Sequence, residues 1–218
     1  VLKGIYGTAY RTPFAKQFLL RGGSKLEEIT GLTVQFQWKP EKNRQISLTG
    51  FSNEIENHVT SDRYEGAGLS LPNSQTINGI ELEARWKINS RLTLDADLTK
   101  LFVSGSDEVY LYNDYSYTDI NGEQQDHYQR LSHEYDAGPK LYTNASAVIK
   151  LTDKINLIPK VSYFSERQSF YFKDNSVKTY DSVFTTDLFL KADYNKNLSY
   201  TLFAENIFDQ KYSGPGYA

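Results

Sequence analysis

The sequence predicts an all-β fold: an antiparallel, up-and-down transmembrane β-barrel, present in part as about nine strands. Three observations predict it. Apolar residues recur at every second position, the connections alternate between short and long, and amphipathic aromatic residues stand beside the short ones. Period-2 alternation marks strands with one apolar face. In an up-and-down sheet alternate connections lie at the same end, so all the short turns share one end and all the long loops share the other.

Residues 1–9 form the first strand. Leu32, Val34, Phe36 and Trp38 mark one face of the second, and Ile46, Leu48 and Gly50 one face of the third. Ile80, Leu82, Ala84, Trp86 and Ile88 define the fourth. In the fifth, Leu92, Leu94, Ala96 and Leu98 alternate with Thr93, Asp95, Asp97 and Thr99, so one face must meet water. Leu141, Ala145, Ala147, Ile149 and Leu151 give the sixth, and Ile155, Leu157, Val161 and Tyr163 the seventh. Phe184, Leu188, Leu190, Ala192 and Tyr194 give the eighth, and Leu198, Tyr200, Leu202 and Ala204 the ninth.

Tight turns are expected at residues 39–43, 89–90, 152–154 and 195–197, and long polar loops at 10–31, 53–76, 104–140, 166–182 and from 207 onward. A compact soluble domain seldom carries structureless loops beyond about 12–15 residues. Outer-membrane barrels combine short periplasmic turns with long external loops. Trp38, Trp86 and Tyr194 sit on the apolar face just before tight turns, at one height, as in an interfacial girdle. Pro159 falls inside the seventh strand and is expected to mark a bulge or a local break. Phe51, Ile55 and Phe203 fall on the polar face, either through a slip of phase or because they pack inside the barrel.

Composition narrows the function classes. A mean hydropathy of -0.57 excludes a bundle of transmembrane helices, and no segment approaches the ~18 consecutive apolar residues that a spanning helix needs. Aromatic residues make up 14% of the chain, with 17 Tyr, which suits surfaces between oil and water but also a Tyr-rich soluble module. The net charge of -3 is scattered along the sequence without a basic stripe, so no nucleic-acid partner is expected. Cysteine is absent, so there is no disulfide framework and no thiolate metal site. The chain opens at Val1 without a leader pattern, which reads as a piece of a longer precursor forming one domain over 1–218.

Four segments carry a resemblance to a known family. Tyr6-Gly7-Thr8-Ala9-Tyr10-Arg11-Thr12-Pro13-Phe14 resembles the strand-to-loop segment of TonB-dependent receptors, which ends in aromatic-Arg-x-Pro. Glu205-Asn206-Ile207-Phe208-Asp209-Gln210-Lys211-Tyr212 resembles that family's Asn-x-Phe-Asp-x-x-Tyr signature before its final strand. Gly79-Ile80-Glu81-Leu82-Glu83 resembles its Gly-x-Glu strand start, and Gly50 to Ile55 its Phe-Tyr-Asn strand end. The resemblance implies the C-terminal part of a 22-stranded barrel with plug domain and final strand absent from the sequence. It further implies an outer-membrane location in a Gram-negative bacterium, contact with membrane lipid, and coupling to TonB through the plug region. The implied function is energy-coupled uptake of a scarce nutrient, a ferric siderophore or similar chelate. Alternatives are a passive or adhesive barrel, or a soluble β-rich glycan-binding module.

Within the motifs, Arg11, Pro13, Asn206, Phe208, Asp209 and Tyr212 are expected to shape strand ends. Proline terminates pairing, and Asn and Asp bond nearby backbone. Ligand contact is expected in the loop at 104–140, from Tyr110, Tyr112, Tyr115, Tyr117, His127, Tyr128 and Arg130. Such residues supply stacking and charge-assisted hydrogen bonds. No catalytic residue, cofactor or resident metal is expected. The three histidines, His58, His127 and His133, lack the close spacing of a metal motif, and Ser132-His133-Glu134 are chain neighbours, whereas catalytic triads assemble in space.

Overall fold

The computed structural model describes residues 1–12, 26–58, 69–71, 73–105, 108–133, 139–171 and 176–213. Its regular elements are all strands, in chain order β1 (Leu2–Arg11), β2 (Glu27–Glu41), β3 (Arg44–His58), β4 (Leu69–Leu71), β5 (Asn73–Lys87), β6 (Leu92–Gly105) and β7 (Glu108–Thr118). There follow β8 (Gln124–His133), β9 (Leu141–Lys150), β10 (Ile155–Phe164), β11 (Arg167–Tyr171), β12 (Ser176–Tyr180), β13 (Val183–Asn195) and β14 (Leu198–Ala204). Nine of them form one antiparallel sheet in the order β1-β2-β3-β5-β6-β9-β10-β13-β14. These are the nine alternating segments of the sequence. The sheet is open, with β1 and β14 at its two ends.

Side chains on this sheet are distributed opposite to a soluble protein. Partners across the ladder share a face, so Phe36, Leu48, Leu82 and Leu98 form one outward row across β2, β3, β5 and β6. All four are exposed, from 38% to 52%. Leu92, Ile149, Leu157, Leu190 and Leu202 form a second apolar row on the same face. The alternate positions are polar and covered. Ser47 and Thr49 are buried on either side of exposed Leu48, and Thr99 and Ser162 are buried likewise. An exposed apolar patch of this extent needs an apolar environment. On β6 the outer positions run from Leu92 to Phe102 and are apolar except for Lys100, whose ammonium lies 5.9 Å from the Phe102 ring centroid. Ten steps of about 3.4 Å, tilted by about 40°, give a height of about 26 Å, close to the ~25 Å band of membrane barrels.

The inner face carries a polar row, Gln37, Ser47, Glu83, Asp97, Asn144, Ser162 and Thr185. Asn144 Nδ2 donates to Asp97 Oδ1 at 3.0 Å, and Ser162 Oγ donates to Asn144 Oδ1 at 2.8 Å. Just below, Arg85 pairs with Asp95 at 3.3 Å. The three misfit aromatic and aliphatic residues lie on this inner face without any slip of phase. The Phe51 ring lies over Gly79, its cross-strand partner, where an added Cβ would come within 3 Å of three ring atoms. Phe203 stacks on its partner Phe189 at 6.3 Å, and Ile55 pairs with Ile29 and Gln75.

The short turns hold themselves. Asn89 Oδ1 accepts from the Arg91 and Leu92 amides, Thr152 Oγ1 from Lys154 N, and Asn195 Oδ1 from Asn197 N. Such side chains imitate the backbone acceptor of a turn. The first turn is tighter than the sequence suggested. β2 continues to Glu41, which pairs with Arg44, and the register shifts between Trp38 and Glu41, so Pro40 sits in an irregularity where no ladder donor is required. Pro159 breaks the β9–β10 ladder locally. Ile158 and Pro159 lack partners on β9, while the flanking pairs keep one register and no bulge forms.

The long connections differ most from expectation. Within the stretches 10–31, 53–76, 104–140 and 166–182, most of the described residues belong to strands. β2 begins at Glu27, β3 runs to His58 and β5 begins at Asn73, because the ladder continues beyond the apolar band, where both faces are wet and hydrophobic alternation stops. β11 and β12 pair as a hairpin, and β4, β7 and β8 form a three-stranded sheet.

Candidate ligand-binding site

The β7–β8 hairpin carries all seven candidate ligand residues and stands at the long-loop end. Its pairing sorts them. Tyr110 faces Leu131 and Tyr112 faces Gln129. One extra residue then enters β7 between Asn113 and Tyr115, and beyond it Tyr115 faces His127 and Tyr117 faces Gln125. Residues 125, 127, 129 and 131 of β8 share a face, because strand positions two apart do. Their four tyrosine partners therefore share it too. Without the irregularity, the even-numbered and odd-numbered tyrosines would fall on opposite faces. His127 joins the tyrosine face, while Tyr128 and Arg130 occupy the other. The sequence grouped these seven residues, and the hairpin divides them.

At the far end of the hairpin Tyr115 and Tyr117 are about half exposed, with ring centroids 6.2 Å apart. The turn beyond them is organised by Asp119, whose Oδ1 accepts from the Asn121 and Glu123 amides at 2.9 Å each. These backbone donors, led by Glu123, hold the Asp119 carboxyl below its usual range. Ile120 projects fully exposed at the tip. Ser132 and His133 are consecutive in β8 and so lie on opposite faces, while Glu134 lies outside the described residues. Among the described residues no group of three His, Cys, Asp or Glu could hold a metal ion.

Residues 2–207 match the family model described as the TonB-dependent receptor-like β-barrel. The chain belongs to this family. Barrels of this family lie in the Gram-negative outer membrane. Among solved structures, the chain resembles Pseudomonas aeruginosa FpvA bound to heterologous pyoverdines, with a TM-score of 0.66 and 11% identity over 97% of this chain and 27% of that one. It also resembles the siderophore receptor PiuA from Acinetobacter baumannii, with a TM-score of 0.61 and 13% identity over 97% of this chain and 30% of that one. A third structure, the FpvAI–pyocin S2 complex, gives 0.65 at 11% identity, over 97% and 28%. Identities this low speak for the fold alone, and the chain spans less than a third of each of those chains. No curated protein matches the sequence.

In this TonB-dependent receptor barrel, described residues of the two terminal motifs make specific bonds. Arg11 Nη2 donates to Glu27 Oε2 across the β1–β2 pair at 2.5 Å, giving a cation to a carboxylate that is itself buried. Pro13 lies outside the described residues. Asn206 adopts a positive φ of 48° and clasps Gln210, accepting from its amide at 2.9 Å and donating to its carbonyl at 3.1 Å. The Asn206 amide in turn donates to Asp187 Oδ1 at 2.9 Å. Asp209 also has positive φ, and its carboxylate takes the Lys211 ammonium at 2.8 Å rather than a backbone amide. Phe208 and Tyr212 are exposed.

Proposed function

We propose that this chain is the C-terminal part of the barrel of an outer-membrane receptor for energy-coupled nutrient uptake, with TonB engaged through a plug region outside it. The short turns then face the periplasm and the β7–β8 hairpin faces outward. The inverted sheet, apolar outside and polar inside, is the observation that carries this reading. It also favours a membrane barrel over a soluble glycan-binding module, which would cover such a face. Family membership supports a transporter rather than an enzyme.

The proposed ligand is a metal chelate such as a ferric siderophore, met by the Tyr110, Tyr112, Tyr115 and Tyr117 face with His127. Residues 108–133 hold five carboxylates and one arginine, so recognition there rests on ring stacking and neutral hydrogen bonds, and attraction of an anion plays little part. Deleting residues 105–135 from the intact receptor is expected to abolish uptake while the barrel still inserts. Unchanged uptake would remove the hairpin from the site.

A further inference from the structure

The inner face changes character toward the short turns. Glu83 and Asp97 stand in its polar row, and in the row beneath Gln45 faces Arg85, which faces Asp95. Lower still, Lys87 faces Thr93, which faces Val148, and Lys150 faces Asn156. The pairing thus places Arg85, Lys87 and Lys150 on the inner face. Lys39 and Lys42 join them from the first turn and its flank, and Arg91 from beside the second, around a recess of about 630 Å³. Seven cations line this recess against one carboxylate, Glu41. The seventh cation, Arg44, stands apart, because its pairing with Trp86 turns it to the outer face.

Four of these cations are unanswered. Arg85 is held by Asp95 at 3.3 Å and Lys150 by Asp153 at 2.8 Å, while Glu41 reaches Arg44 only at 4.0 Å. Lys39, Lys42, Lys87 and Arg91 are exposed and have no ion-pair partner among the described residues. Like charges sharing one concavity repel one another, and a cleft lined by one sign gathers ions of the other. The side-chain amides of Gln45 and Asn156 also line the recess. An oxyanion there finds charge-assisted hydrogen bonds from the cations and neutral ones from these amides. The volume falls within the range of about 300–1,000 Å³ typical of small-molecule sites.

We infer that this recess is an oxyanion-binding site on the inner wall of the barrel, taking a polyvalent carboxylate or phosphate group. The inference rests on the membrane-barrel reading above, which makes this face the wall of a lumen. The site is separate from the tyrosine hairpin at the opposite end of the strands, where carboxylates outnumber arginine and an anion meets little attraction. The oxyanion comes from one of two sources, a dissolved polyanion or the acidic side chains of a receptor segment outside this chain.

The test uses the intact receptor in neutral detergent at low ionic strength, with pyrophosphate and acetate titrated in by calorimetry. A dissolved source predicts pyrophosphate binding at least about tenfold tighter than acetate, since a cleft of one sign favours the higher opposite charge. That binding should weaken at least about fivefold in Lys39→Gln/Lys42→Gln and in Lys87→Gln/Arg91→Gln. These side chains are exposed, so both variants should melt as the wild type does. An internal source predicts that pyrophosphate stays out. A zero-length carbodiimide then joins Lys39, Lys42 or Lys87 to an Asp or Glu outside residues 1–218, as mapped by peptide mass spectrometry. Pyrophosphate binding untouched in both variants overturns the inference, and so does absence of binding without any such cross-link. Binding that depends on these cations in a receptor that stays soluble and monomeric without detergent would keep the site and overturn the barrel reading instead.

Discussion

Replacing Leu82 with arginine separates a lipid-facing sheet from a soluble one more sharply than any other single change. Leu82 lies on β5 in the outward row with Leu48 and Leu98, and is 41% exposed. Its partner Leu98 lies between Leu92, six residues away, and Phe102, four away, with Lys100 the one charged residue on that outer stretch of β6. An arginine at the midplane of a membrane barrel costs about 2–4 kcal/mol, which is about 30- to 900-fold in the folded-to-unfolded ratio. In a water-facing sheet the same substitution at a half-exposed site stays within about 0.5 kcal/mol. The control is Glu83→Gln, one residue along and on the inner face, expected to stay within about 0.5 kcal/mol in either case. The assay is urea titration of the intact receptor refolded into phospholipid vesicles. A loss below about 0.5 kcal/mol for Leu82→Arg, or one no greater than for Glu83→Gln, would refute the assignment of this face to lipid.

Three further outcomes follow from local geometry. Gly79→Ala is expected to destabilise by about 1–3 kcal/mol, since the new methyl meets the Phe51 ring. Adding Phe51→Ala should remove most of that penalty, which a double-mutant cycle in the same titration measures. Asn206→Ala is expected to cost about 2–3 kcal/mol, from the lost Gln210 bonds and a strained positive φ, and Asn206→Gly less, because glycine bears that φ freely. The Asp119 carboxyl is held below its usual value in the folded hairpin. Its contribution is therefore fully present above the ordinary carboxylate range and is lost as pH falls through the depressed folded value. Amide exchange at Asn121 and Glu123 should quicken there in the native hairpin and be fast at every pH in Asp119→Ala.

The nine wall strands were legible because each has one face in an apolar medium and one in a polar one, so hydrophobicity alternates along Leu92–Leu98 and Phe184–Tyr194. The same reasoning fails for β7, β8, β11 and β12. Most of their residues, such as the tyrosines and glutamines of β7 and β8, are amphipathic or polar, and the few apolar ones, such as Val109, Leu111 and Leu131, make no sustained alternation that separates a wet hairpin from a loop. The inner packing of Phe51 on Gly79 was visible only as a misfit, since pairing across strands is not written in either strand alone. The tyrosine face was half legible. The residue types were plain, but the one-residue irregularity at Asn113–Tyr115 that aligns them depends on register.

Sidedness is the claim on which the others depend. The chain contains no cysteine, so one introduced at Asn121, in the turn of the β7–β8 hairpin, and one at Lys42, in the first short turn, report separately. Each is placed in the intact receptor, freed of other cysteines, and exposed on whole cells to a membrane-impermeant maleimide. The account predicts labelling of Asn121→Cys in intact cells and of Lys42→Cys only after the outer membrane is permeabilised. The reverse pattern, or equal labelling of both in intact cells, would contradict it.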